Sequence, residues 1–168
     1  MKKISTTALA YSIGALLLIG VGAWMVWGGG SDAPKVYSAG TLSAAETAFD
    51  LGTISMGNGT VAHQYTVTND SKETVTIEKV YTSCMCTSAS ITVASGKSYG
   101  VFGMPGHEGS SRTSIPVGPG EAIRVEAVFD PAAHGPSGVG LAQRSVYLET
   151  NSSASPKMEL SFQALVTR

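Results

Sequence analysis

Cys84 and Cys86 are the only cysteines in this 168-residue chain, and a single residue, Met85, separates them. Thiols at that spacing support three kinds of chemistry. They can bridge and fasten the end of a strand. They can bind a metal ion as a pair of soft thiolates. They can exchange electrons with another thiol pair. In a strand, residues i and i+2 point to the same side and lie about 6.6–6.8 Å apart. Ordinary disulfides have Cα atoms about 4.4–6.8 Å apart. A bridge therefore falls at the edge of the permitted range, and free thiols stay open beside it. A redox centre also calls for positive charge next to a thiol. Lys79, five residues ahead of Cys84, is the nearest preceding base and offers little.

The metal alternative draws on more donors. Met104 carries a thioether, and His107 and His134 carry imidazoles. The candidate ligands are Cys84, Cys86, Met104, His107 and His134, and the donor set suits Cu(I), or zinc where imidazole joins the thiolates. Met104-Pro105-Gly106-His107 holds two donors on a stiff, turn-forming tetrapeptide. Each donor also has a plain structural explanation. Histidines in Gly-rich loops can simply be solvated, and Met104 can fill a gap in the core. Met85 is out of phase with its neighbours and is expected to point away from them. His63 shares an alternating face with Tyr65 and Val67, so it is expected to be a satisfied, partly buried histidine. There is no Gly-rich phosphate loop ahead of a helix, no nucleophile elbow and no evident carboxylate pair. No catalytic site is expected, and the chain does not read as an enzyme.

Period-two strands must position these residues. Val61, Tyr65 and Val67 share one face. Val75 and Ile77 point inward from the next strand, before Cys84. Ile123, Val125, Ala127 and Phe129 alternate with Arg124 and Glu126. Val146 and Leu148 follow, and Met158, Leu160, Phe162, Ala164 and Val166 form the cleanest alternation of all. Turn clusters such as Asn69-Asp70-Ser71-Lys72 and Gly118-Pro119-Gly120 separate them. The pattern predicts an all-β antiparallel β-sandwich of seven or eight strands. Ile91-Thr92-Val93 is expected as an edge strand. Residues 96–119, rich in Gly, Ser and Pro, are expected as a long loop.

Ahead of the sandwich, Ala8 to Trp27 is a run of 20 residues without a charge. As a helix it spans about 30 Å, the hydrocarbon thickness of a bilayer. Lys2 and Lys3 before it favour a cytoplasmic N-terminus, and Trp24 and Trp27 suit the far interface. The expected organisation is a cytoplasmic stub and transmembrane anchor over 1–28, a Gly/Ser/Ala-rich linker over 29–46, and the sandwich over 47–168; a signal peptide cleaved near Gly28–Ala33 is the alternative for the apolar run. Setting aside Lys2 and Lys3 leaves nine basic residues against twelve acidic ones outside, a net −3. With no basic patch or aromatic-basic interleaving, nucleic-acid binding is disfavoured.

Several motifs occur in order. Phe49-Asp50-Leu51-Gly52-Thr53-Ile54 comes first, then Val61 to Asn69, then Thr82-Ser83-Cys84-Met85-Cys86-Thr87. Pro119-Gly120-Glu121, Val128-Phe129-Asp130-Pro131 and Thr150-Asn151 complete the set. Together, over about residues 47–168, they resemble the bacterial family called domain of unknown function 1573. That resemblance implies an immunoglobulin-like sandwich outside the cytoplasmic membrane and no established enzymatic activity. The insert carrying Phe102 to His107 and the position of His134 depart from the family pattern.

In such a sandwich the third strand and the strand ending at Phe129 run the same way. Cys84-Met85-Cys86 and His134 would then share one end, with the Met104–His107 loop starting nearby. The expected protein is a single-pass membrane protein with its domain outside the cytoplasm. It would act as a non-catalytic interaction module with a protein partner in the envelope. Binding of Cu(I) or zinc, and thiol redox chemistry, are the alternatives.

Overall fold

The computed structural model describes residues 36–107 and 110–168. The expected anchor at Ala8 to Trp27 lies outside the described residues. Among those described, no helix is long and apolar enough to cross a membrane.

Among the described residues, ten strands form two five-stranded sheets. The first sheet has β1 (Leu42–Ala44), β3 (Val61–Asn69), β8 (Ala122–Phe129), β5 (Thr87–Thr92) and β6 (Ser98–Phe102) side by side, in that order. The second has β2 (Ala48–Ser55), β10 (Lys157–Thr167), β9 (Gly140–Thr150), β4 (Val75–Thr82) and β7 (Arg112–Val117). Alternation drives this arrangement. Every second residue of β8 and β10 is apolar, and Val61, Tyr65 and Val67 share one face of β3, so each strand can bury one face only, and two such faces close on one another. Tyr65, Val67, Ile91, Ile123 and Val125 of the first sheet join Ile77, Ile115, Leu148 and Leu160 of the second in one cluster, each at most 1% exposed. Phe129 and Phe162 meet across the sheets at 5.5 Å between ring centroids.

The sandwich departs from expectation in four ways. It is mixed, not purely antiparallel: β2 runs parallel to β10, with Phe49 opposite Phe162. Alternation specifies which face is buried, but not the direction of the neighbouring strand. It has ten strands instead of seven or eight, because the predicted long loop contains β6 and β7. Pro116 disguised β7; prolines within sheets are found on edge strands, and β7 is one. Ile91 lies on β5, which is internal, between β8 and β6. Finally, β1 pairs with β3 within the segment expected as linker, so the folded body begins ahead of residue 47.

A buried polar bond helps tie the two sheets. The buried Tyr65 hydroxyl donates to the Ser161 carbonyl at 2.6 Å. Burial, and secondarily the charge of Glu46, push its pKa up to about 12 from the usual 10. The folded state therefore holds this proton where the unfolded chain has lost it. Stability from this group is complete below pH 10 and falls as pH rises from 10 toward 12. Alkaline unfolding curves should show that loss. In Tyr65→Phe the pH dependence from this group should vanish, at a cost of about 1 kcal/mol for the missing hydrogen bond.

Candidate functional site at the cysteine end

β4 ends at Thr82, and the chain turns through residues 83–86 before entering β5. The threonines flanking the cysteines hold this turn. Thr82 Oγ1 reaches the carbonyls of Cys84 and Thr87, at 2.9 Å each. Thr87 N donates to Cys84 O at 3.1 Å, and Asp130 N donates to Cys86 O at 2.9 Å. Because the cysteines sit on a turn and not in a strand, their Cα atoms are only 5.2 Å apart, and the two are joined by a disulfide. That separation lies well inside the range ordinary bridges use. The flat-strand spacing considered above does not apply here.

The bridge is asymmetric in its surroundings. Cys86 is 3% exposed, whereas Cys84 is only partly buried. The Cys86 amide donates to Cys84 Sγ at 3.2 Å. His134 Nε2 lies 3.2 Å from Cys84 Sγ. It arrives on the tight turn after β8, where Ala132 N donates to Asp130 Oδ1 at 2.9 Å and Gly135 N to Ala132 O at 2.8 Å. On the other sulfur, Arg144 Nε donates to Cys86 Sγ at 3.0 Å, and the Thr87 hydroxyl is 3.8 Å away. The Arg144 guanidinium also lies 6.0 Å from the Phe129 ring centre, and its Nη1 donates to Gln143 O at 2.7 Å.

Of the five ligand candidates, the fold gathers three. One ligand atom each from Cys84, Cys86 and His134 lie within 4.8 Å of one another. In the reduced state these would offer two thiolates and an imidazole, a donor set suited to Cu(I) or zinc. While bridged, the sulfurs are committed to each other and offer no thiolate. Met104 and His107 do not join this group. They line a separate concavity with Met85, Thr87, Ser88, Val101 and Gly103. His63 is satisfied, as expected: its Nε2 lies 3.0 Å from Glu46 Oε2, and its ring stacks on Phe49 at 3.6 Å.

Sequence reasoning missed Arg144. Closeness along the chain does not reveal it, because the guanidinium comes from 58 residues away. One signal was present. Ala142, Val146 and Leu148 all point inward on β9, so Arg144 falls on the inward phase. A cation in that phase must find a partner.

Fold and site together define a two-sheet β-sandwich carrying a flanked disulfide at one end. Residues 42–101 match the model of the family described as Protein of unknown function (DUF1573), the family the ordered motifs resemble. The motifs from Pro119 onward lie beyond the matched stretch. No curated protein matches the sequence. Among solved structures, a protein of unknown function from Porphyromonas gingivalis W83 is similar, with a TM-score of 0.54 at 15% identity. The similarity covers 80% of this chain and 51% of that one, so the chain spans about half the length of that relative. A PapD-like domain of human CEP192 aligns with a TM-score of 0.48 at 12% identity, over 81% of this chain and 92% of that one. The periplasmic chaperone SfaE aligns with a TM-score of 0.41 at 9% identity, over 76% and 59%.

Proposed function

We propose that this chain is a non-catalytic interaction module of the cell envelope, and that its cysteine end is a reversible thiol–disulfide couple. The segment Ala8 to Trp27 would carry it as a single span, with the sandwich outside the cytoplasm. A protein partner would be held by loops or sheet edges. The observation that carries the redox assignment is the bond from Arg144 Nε to Cys86 Sγ at 3.0 Å. A guanidinium there stabilises negative charge on that sulfur once the bridge opens.

The exchange follows from the asymmetry. An incoming thiolate, from a protein dithiol or a small thiol, attacks the more accessible Cys84 Sγ and forms a new S–S bond to it. The Cys84–Cys86 bond breaks, and its electron pair leaves on Cys86 as a thiolate facing Arg144. A second thiolate attacks the donor's sulfur in the mixed disulfide and releases Cys84, which His134 is placed to protonate. Two external thiols become a disulfide, and the bridge becomes a dithiol. The step occurs once per encounter, so the chain is a switchable module and not a catalyst. The gathering of Cys84, Cys86 and His134 supports a second reading, in which the reduced site takes Cu(I) or zinc.

Equilibration of the full chain in defined thiol–disulfide buffers tests the couple. In Arg144→Met the reduced form loses a charge-assisted hydrogen bond of about 1.5–3 kcal/mol. The potential should therefore fall by about 30–60 mV, making the bridge harder to reduce. An unchanged potential would remove Arg144 from the site and leave the bridge a structural staple.

A further inference from the structure

The cysteine turn presents a second set of soft donors on its other side. Met85, between the two cysteines, is 55% exposed. It lines a concavity of about 690 Å³ with Met104, His107 and Val101, and neither cysteine nor His134 lines that space. Core packing does not account for these two methionines. Met56 and Met158 pack against the hydrophobic cluster, whereas Met85 and Met104 do not.

The two segments bearing the donors are tied together. Thr82 N, three residues before Met85, donates to Gly103 O at 3.2 Å, immediately before Met104. Phe102, opposite Ala89 on β5, is buried and anchors the start of the loop. From there Met104-Pro105-Gly106-His107 closes a tight turn, with His107 N donating to Met104 O at 3.1 Å. Gly106 has φ +85°, a conformation that favours glycine, and this lets the turn close.

We propose that Met85, Met104 and His107 form a Cu(I) site of two thioethers and one imidazole nitrogen, independent of the cysteine pair. The chemistry of the lining selects the ion. Among the described residues, the lining offers two thioethers and one imidazole and no carboxylate. Thioether sulfur is soft and uncharged, and it favours Cu(I) over zinc. Val101, 69% exposed, gives the rim an apolar side.

The test uses the full chain with both cysteines removed, Cys84→Ser/Cys86→Ser, titrated anaerobically against Cu(I) held by a chromophoric chelator. One equivalent should transfer to the protein, with no competition from excess Zn(II). Met85→Leu, Met104→Leu and His107→Gln, each added to that background, should weaken transfer by at least about tenfold, the lower bound for losing a group that merely supports a ligand. His134→Gln should leave it unchanged. Should the double serine variant fold poorly, the wild-type chain with its bridge intact serves equally, since bridged sulfurs offer no thiolate. Transfer that requires the reduced cysteines, or that survives Met85→Leu and Met104→Leu, would overturn the proposal. The redox potential of the couple is a separate readout, so either assignment can fail without the other.

Discussion

With Cys86 replaced by Ser, the chain should accumulate as a stoichiometric mixed disulfide through Cys84 when exposed to an oxidised small-molecule thiol. With Cys84 replaced by Ser, only traces should form. The two substitutions remove the same bridge, so a purely structural role predicts equal behaviour. The surroundings predict otherwise. In Cys86→Ser the remaining sulfur is partly exposed and lies 3.2 Å from His134 Nε2, and no resolving thiol is left to release the adduct. In Cys84→Ser the remaining sulfur is on a residue only 3% exposed, held against Arg144 and Thr87. Attack on a disulfide needs access as well as a thiolate. Alkylation rates of the two single-cysteine chains should differ by more than about tenfold, which needs little over 1 kcal/mol of barrier. Intact-mass spectrometry reads the adduct directly. Equal trapping by both variants would sink the assignment of Cys84 as the attacked sulfur.

The largest effect on stability should come from a polar residue. Asn69 is fully buried at the end of β3. Its Nδ2 donates to Glu73 O and Val117 O, at 2.8 Å each. Its Oδ1 accepts from Ser71 N at 3.1 Å and Ser71 Oγ at 2.6 Å. One side chain thus closes the turn after β3 and ties it to the end of β7 in the other sheet. In Asn69→Ala those two carbonyls lose their donor, and an unsatisfied buried polar group costs about 1–3 kcal/mol. The expected loss is about 2–4 kcal/mol, a fall in Tm on the order of 10 °C for a domain of this size. Asn69→Asp keeps the acceptors but not the donors, and it should be destabilised at least as much. Urea unfolding of the three chains measures this.

Much of the fold was legible because alternation is a local signal. The inward positions of β3, β8 and β10 could be read residue by residue, and all of those marked from Tyr65 to Val166 lie in or against one cluster. β6 and β7 were not legible. They are short edge strands, and Gly100 and Pro116 interrupt them. Edge strands bury less and can carry such residues, so their pattern is weak. The parallel pairing of β2 with β10 was also hidden, since a strand's sequence specifies a buried face and not a neighbour's direction.

The site divides in the same way. The sequence by itself determined that two soft sulfurs stand one residue apart and that methionine and histidine donors exist elsewhere in the chain. Only the tertiary structure decided which donors meet. A turn brings the cysteine Cα atoms to 5.2 Å, where a bridge closes readily. The turn after β8 delivers His134 to one sulfur, and β9 delivers Arg144 to the other. Met104 and His107 were carried to a separate concavity, which Met85 also lines. The physical reason is that electrostatic and ligand interactions act over a few ångströms in space. Separation along the chain says little about them once two sheets have folded together.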